Sequence, residues 1–139
     1  MLKDAMGGYR GTATEISRLI MEQPENAEAY YDRGNAWSSS GDYEGAVRDY
    51  TMALMLGLRF REAINAYGNR GMARAEMGDL DGAIADFSEI MARKPKNRSI
   101  LRTALLSRAL LRGRKGDSEG AAGDRAMASL LLVDNNNNQ

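Results

Sequence analysis

The chain sets small residues among large apolar ones: Gly34 lies between Tyr30 and Trp37, Gly71 follows Tyr67, Ala46 precedes Tyr50 and Ala83 precedes Phe87. These stretches are broken at nearly regular intervals by one polar, glycine-bearing heptad. It reads GDYEGAV at 41–47, GDLDGAI at 78–84 and GDSEGAA at 116–122, with a worn copy, GGYRGTA, at 7–13. The starts are 34, 37 and 38 residues apart. A period in this range marks stacked supersecondary units, none of which buries its apolar face alone.

Each unit predicts two helices. Gly41 is placed to take the left-handed conformation that closes a helix, and Asp42 to cap the next one. Glu44 adds negative charge to the first turn, where the helix dipole favours it. The heptad is therefore the elbow of a helical hairpin. Gly45, Gly82 and Gly120 follow the cap, and their reuse suggests close helix approach, since glycine inside a helix costs up to about 1 kcal/mol relative to alanine. The extra residues of the longer steps fall at 57–63 and 95–101. They either lengthen helices or loosen connectors, and spacing alone does not choose.

These residues resemble the tetratricopeptide repeat. Its aromatic, small-residue and proline positions are matched in one unit by Tyr30, Arg33, Gly34, Trp37, Ala46 and Tyr50. The next gives Tyr67, Arg70, Gly71, Ala83, Phe87 and Pro95, with Arg74 where an aromatic is usual. The last keeps Leu105, Arg108, Ala109 and Ala121 but has Arg112 and Arg125 at both aromatic positions. The stretch 7–24 matches the second half of a unit through Ile16, Leu19 and Pro24.

The resemblance implies an all-α, right-handed solenoid of about three and a half hairpins in a single domain, 1–134. Its parts are a half repeat or cap at 7–26, with a helix at about 8–22, and full repeats at 27–60, 64–97 and 102–134; a polar, disordered tail follows at 135–139. Gly34, Gly71 and Ala109 are expected to face Ala46, Ala83 and Ala121. Arg33, Arg70 and Arg108 share one position, and Asp49, Asp86 and Asp124 another, so a repeated ion pair is expected across each hairpin.

Composition narrows the function classes. The 139 residues contain no Cys and no His, which excludes a disulfide framework, argues against a zinc site and removes the commonest general base. No glycine-rich phosphate loop or calcium-loop spacing appears, so neither an enzyme nor a cofactor or metal is expected. No stretch has the length needed to span a bilayer and no signal peptide opens the chain, so a cytoplasmic protein is expected. Lys plus Arg equals Asp plus Glu at 19 each, so no global field draws the chain to nucleic acid or membrane, and neither is an expected partner.

Charge placement is less even. From Arg93 to Lys115 there are nine cations and no acid, whereas 22–49 is mostly acidic. This predicts a dipole along the stack whose basic end receives an acidic partner or the acidic end of another copy. Arg112 and Arg125 are expected at the outer face of the last unit, closing the array, and SLLLV at 129–133 is expected to leave apolar side chains exposed for self-association.

As a family, tetratricopeptide arrays bind extended or helical peptides in a concave groove lined by the first helix of each unit. The resemblance places Tyr31, Asn35, Asn65, Asn69, Met72, Leu106, Leu110 and Arg114 in that lining. Some members clamp a partner's C-terminal carboxylate with two Asn, two Lys and an Arg. Asn35 and Asn69 match the amides, but Tyr31, Thr103 and Ser107 replace the cations, which argues against that ligand. The expected function is noncatalytic protein or peptide binding, with self-assembly as the alternative.

Overall fold

The computed structural model describes residues 11–136 of the chain, and side chains as far as Leu132. Residues 7–10 of the worn heptad, the start of the expected first helix and residues 137–139 of the expected tail lie outside them, whereas 135–136 of that tail belong to the last helix. All regular structure among the described residues is helical. α1 is Ala13–Glu22, α2 Ala27–Ser39, α3 Tyr43–Leu56, α4 Phe60–Glu76, α5 Leu80–Ala92, α6 Arg98–Arg114 and α7 Ser118–Asn136. Each helix packs on the next in sequence, and α2 also touches α4.

The elbows join α2 to α3, α4 to α5 and α6 to α7, and all three are built alike. Gly41, Gly78 and Gly116 have φ of +85°, +81° and +87°, the left-handed region open to glycine without a Cβ clash. The next residue serves both helices. The backbone N–H groups of Asp42, Asp79 and Asp117 each donate at 2.9 Å to the carbonyls of Trp37, Arg74 and Arg112, closing the first helix. Their carboxylates accept the N–H of Gly45, Gly82 and Gly120 at 2.9, 3.0 and 2.8 Å, opening the second.

That geometry bears out the expected helix approach at Gly45 and Gly82 and adds a second reason for all three glycines. A Cβ at any of them would first meet the capping aspartate of its own helix. Helix approach contributes only in the first two pairs, through Trp37 Cγ at 3.1 Å and Arg74 Cδ at 3.0 Å.

The open question about the longer steps is settled by helix length. α2 has 13 residues, whereas α4 and α6 each have 17. The extra residues add one turn at the start of each first helix, and the connectors at 57–59 and 93–97 stay short.

The small residue at the first-helix position makes room for the aromatic ring. A Cβ on Gly34 would lie 2.8 Å from Tyr50 Cε1, and one on Gly71 3.0 Å from Phe87 Cε2. In the last pair Arg125 replaces the ring and is exposed, and there Ala109 replaces glycine. Position and partner vary together because a ring and a Cβ do not fit in one space.

Three apolar clusters fill the seams. Ile16, Ile20 and Ala29 join α1 to α2; Ala46, Tyr50, Ala66 and Ala73 join α2 and α3 to α4; Ile64, Ala83, Phe87, Ile90, Ala104 and Leu111 join α4 and α5 to α6. Val47 and Leu54 on α3, and Ile84 and Met91 on α5, pack against the following pair. The corresponding positions on α7 are Ala122 and Ser129, both exposed.

Candidate functional site

An ion-pair network fixes the first helices against the second. Arg33 Nε and Nη2 donate to Asp49 at 2.6 and 2.8 Å, and Arg108 Nε and Nη2 donate to Asp124 at 2.9 and 2.7 Å. Arg70 grips Asp86 in the same way, with its Nη2 at 2.7 Å. The expected pair thus recurs in all three hairpins, in the two-pronged geometry that suits guanidinium and carboxylate. The remaining Nη1 reaches into the preceding pair, to Ser17, Thr51 and Ser88 hydroxyls at 3.1, 3.1 and 3.0 Å. Each hydroxyl donates its own proton to the carbonyl four residues back, leaving a lone pair for the arginine. The equivalent position on α7 is Ala126, which has no hydroxyl to offer.

Arg112 does not face outward as expected. Its Nη1 donates to Asp124 at 2.9 Å, just as Arg74 Nη1 donates to Asp86 at 2.9 Å inside the stack. Where Trp37 fills the space with a ring, these two arginines fill it with a second cation on the buried aspartate. At Asp124 burial pushes the carboxyl pKa up, but bonding from Arg108 and the charges of Arg108 and Arg112 outweigh it, holding the group below its usual range. The Arg33 guanidinium is held above its usual range, chiefly by its bonds to Asp49.

The basic stretch is consequently less available than its sequence implies. Arg93 pairs with Glu89 at 3.3 Å, Arg108 and Arg112 with Asp124, and Lys115 with Asp81.

Between α2 and α4 lies an open cavity of about 480 Å³ lined by Asn35, Ser38, Ser39, Tyr43, Tyr50, Asn69, Met72, Ala73 and Glu76. Its floor is hydrogen-bonded across the two helices. Asn35 Oδ1 accepts from Tyr50 Oη at 2.5 Å and from Asn69 Nδ2 at 3.1 Å. Met72 stands 63% exposed at the rim. Tyr31 adjoins the site, its ring 5.9 Å from that of Tyr50. Burial raises the Tyr31 hydroxyl pKa, partly offset by hydrogen bonding with Asn35 and Asn65. Burial raises the Tyr50 hydroxyl likewise.

Of the eight residues read from the sequence, the structure brings Asn35, Asn69 and Met72 into one cavity and sets Tyr31 and Asn65 beside it. Leu106, Leu110 and Arg114 lie on α6, outside that cavity, with Leu110 and Arg114 exposed. Tyr43 and Tyr50, from the second helix, were not anticipated in the lining. The signal for Tyr50 was Gly34, whose missing side chain lets the phenol cross the hairpin and reach the groove. No carboxylate-binding cation lines the cavity, and its one ionisable carboxylate is Glu76. Among the described residues, no three potential metal ligands come together.

Residues 64–97, which span most of α4 and all of α5, match the sequence model of the tetratricopeptide repeat. No curated protein matches the sequence significantly. Among solved structures, a crystal structure of MamA superposes with a TM-score of 0.79 at 22% identity, covering 90% of this chain and 69% of that one. A second crystal structure of MamA protein gives 0.76 at 23% identity, covering 86% of this chain and 61% of that one. This likeness establishes the all-α helical-repeat fold. Residues 64–97 thus carry one tetratricopeptide repeat, and the pairs on either side repeat its elbow, its ion pair and its packing.

Proposed function

We propose that the chain is a noncatalytic protein-interaction module that takes an extended or helical segment of a partner polypeptide along α2, α4 and α6. The observation that carries this reading is the α2–α4 cavity, where amides, hydroxyls and one exposed thioether converge on an open surface. Tyr50 and Asn69 both donate to Asn35 Oδ1, so that oxygen is already engaged and Ser38 Oγ lies 3.5 Å from Tyr50 Oη; the second N–H of each amide and the Ser39 hydroxyl are the groups left to meet a peptide backbone. Met72 supplies an adaptable apolar contact, and Leu110 extends it along α6. The absence of a cation in the cavity disfavours a C-terminal carboxylate as the ligand's anchor.

Affinity capture with wild type and a Tyr31→Ala, Met72→Ala, Leu106→Ala triple variant tests the groove. The reading predicts that partners recovered by wild type are lost by the variant; an identical set counts against it.

Self-assembly is a second reading, favoured by the exposure of Met127, Leu130 and Leu132 on α7. Continued stacking on α7 is disfavoured, since Ala122 and Ser129 offer little apolar bulk to a following pair and Ala126 no hydroxyl at the relay position. Light scattering across protein concentration separates the readings: a monomer at every concentration removes self-assembly.

A further inference from the structure

The helices run back and forth, so the three elbows share one edge of the stack and the pair-to-pair connectors at 23–26, 57–59 and 93–97 share the other. Every elbow carries a capping aspartate and a first-turn acid, Glu44, Asp81 or Glu119, and the third also carries Arg114 and Lys115. The connector edge has a different character. Met21 is 84% exposed, Met55 77%, Phe60 53% and Leu56 39%, all within a turn of a connector. Arg59 and Arg61 flank Phe60, and Lys94 and Lys96 flank the buried Pro95; all four cations are exposed, and no ion pair holds them among the described residues.

We propose that the connector edge docks on an anionic lipid surface, with the apolar side chains entering the headgroup boundary and the cations meeting phosphates. The apolar groups come from the ends of three helices, so a protein partner would need pockets spread along the whole edge. A fluid interface takes such side chains without pockets. Methionine and phenylalanine tips held by rigid helices, with arginines on either side, give both terms such binding needs: buried apolar area and electrostatic attraction. No helix among the described residues is long and apolar enough to cross a membrane, so the contact is lateral. The even charge balance of the whole chain hides this edge, since acids elsewhere, among them Asp42, Glu44, Asp79, Asp81, Asp117 and Glu119 at the elbows, offset its cations. Glu22 and Glu25 are exposed beside Met21 and oppose the attraction at that end. The inference is independent of the groove reading, which concerns a different surface.

Vesicle flotation tests it with full-length protein. Wild type is expected to float with phosphatidylglycerol–phosphatidylcholine vesicles, to bind phosphatidylcholine alone weakly, and to detach as salt rises. Each exposed cation near an anionic surface strengthens binding about fivefold, so Arg59→Gln/Arg61→Gln is expected to lower affinity about 25-fold. Phe60→Ser should weaken binding in both salt regimes, and Glu22→Gln/Glu25→Gln should strengthen it. All these side chains are exposed, and circular dichroism checks that each variant is folded. The proposal is overturned if wild type fails to float with anionic vesicles at low salt, or if Arg59→Gln/Arg61→Gln floats as well as wild type. Binding to polyglutamate without binding to vesicles overturns it too, and reassigns the edge to an acidic protein.

Discussion

The pair α4–α5 and the pair α6–α7 hold the same charged centre, an aspartate gripped by two arginines, yet differ in the ring beside it and in the outer face of the second helix. In α4–α5, Gly71 admits the Phe87 ring, and the outer face of α5 presents Ile84, Ser88 and Met91 to α6. In α6–α7, Ala109 meets no ring, Arg125 turns to solvent, and the same face of α7 presents Ala122, Ala126 and Ser129. The ion pair therefore belongs to the hairpin itself, whereas ring, hydroxyl and apolar bulk belong to the seam between hairpins. Residues of the second kind can vanish when no pair stacks on them.

The sharpest way to break this comparison is to remove the shared centre. Asp86→Ala leaves Arg70 and Arg74 without their carboxylate in a site where Asp86 is 2% exposed, and the expected loss is about 3–5 kcal/mol. Urea unfolding should show a smaller loss for Asp124→Ala, whose arginines are nearer solvent; equal losses would mean the seam does not insulate the interior pair.

Filling the ring's space comes next. Gly34→Ala places a Cβ against Tyr50 and should destabilise by about 1–3 kcal/mol, read as a lower Tm, whereas Ala109→Gly, in the pair where Arg125 replaces the ring, should cost only about 1 kcal/mol.

The hydroxyl relay is the more selective test. Thr51→Val removes the acceptor of Arg70 Nη1 and should cost about 1–2 kcal/mol. Ala126→Ser adds an acceptor on α7 where no arginine reaches it, and should change stability by less than about 0.5 kcal/mol. A large effect at 126 would show that α7 is covered after all.

The smallest expected effect is on pH dependence. The Asp124 carboxyl is held below its usual range, so it contributes stability that is fully present above its unfolded pKa of about 3.9 and is lost as pH falls through the lower folded value. Asp124→Asn should flatten the acid limb of unfolding midpoints measured across that window; an unchanged slope would contradict the assignment.

The elbow was legible in sequence because its parts act locally: a left-handed glycine, a capping aspartate and a first-turn acid need no tertiary contact. Arg33 and Asp49 were legible too, since an antiparallel hairpin brings equal distances from the elbow to equal heights. The fate of the extra residues before Phe60 and Arg98 was not, because a longer helix and a looser connector occupy the same number of residues. Arg112 misled for a different reason. An arginine at an aromatic position reads as solvent-facing, but a buried aspartate one turn away in space draws the guanidinium inward. In the groove, Asn35, Asn69 and Met72 followed from the resemblance, which assigns the lining to the first helix of each unit. Tyr50 did not, because it reaches the cavity from the opposite helix through the gap at Gly34.

The central claim is that the helical pairs stack in a register that sets α2 beside α4 and so forms the groove. The chain has no cysteine, so introduced thiols report on it alone. In Asn35→Cys/Asn69→Cys the two side chains replace amides that are hydrogen-bonded at 3.1 Å, and a short bifunctional thiol reagent should bridge them within one folded molecule. Asn35→Cys/Leu110→Cys, separated by two interhelix steps of about 8–10 Å each, should not be bridged. Failure of the first pair to cross-link in a folded protein, or equal cross-linking of both, would contradict the stacked register from which the rest is argued.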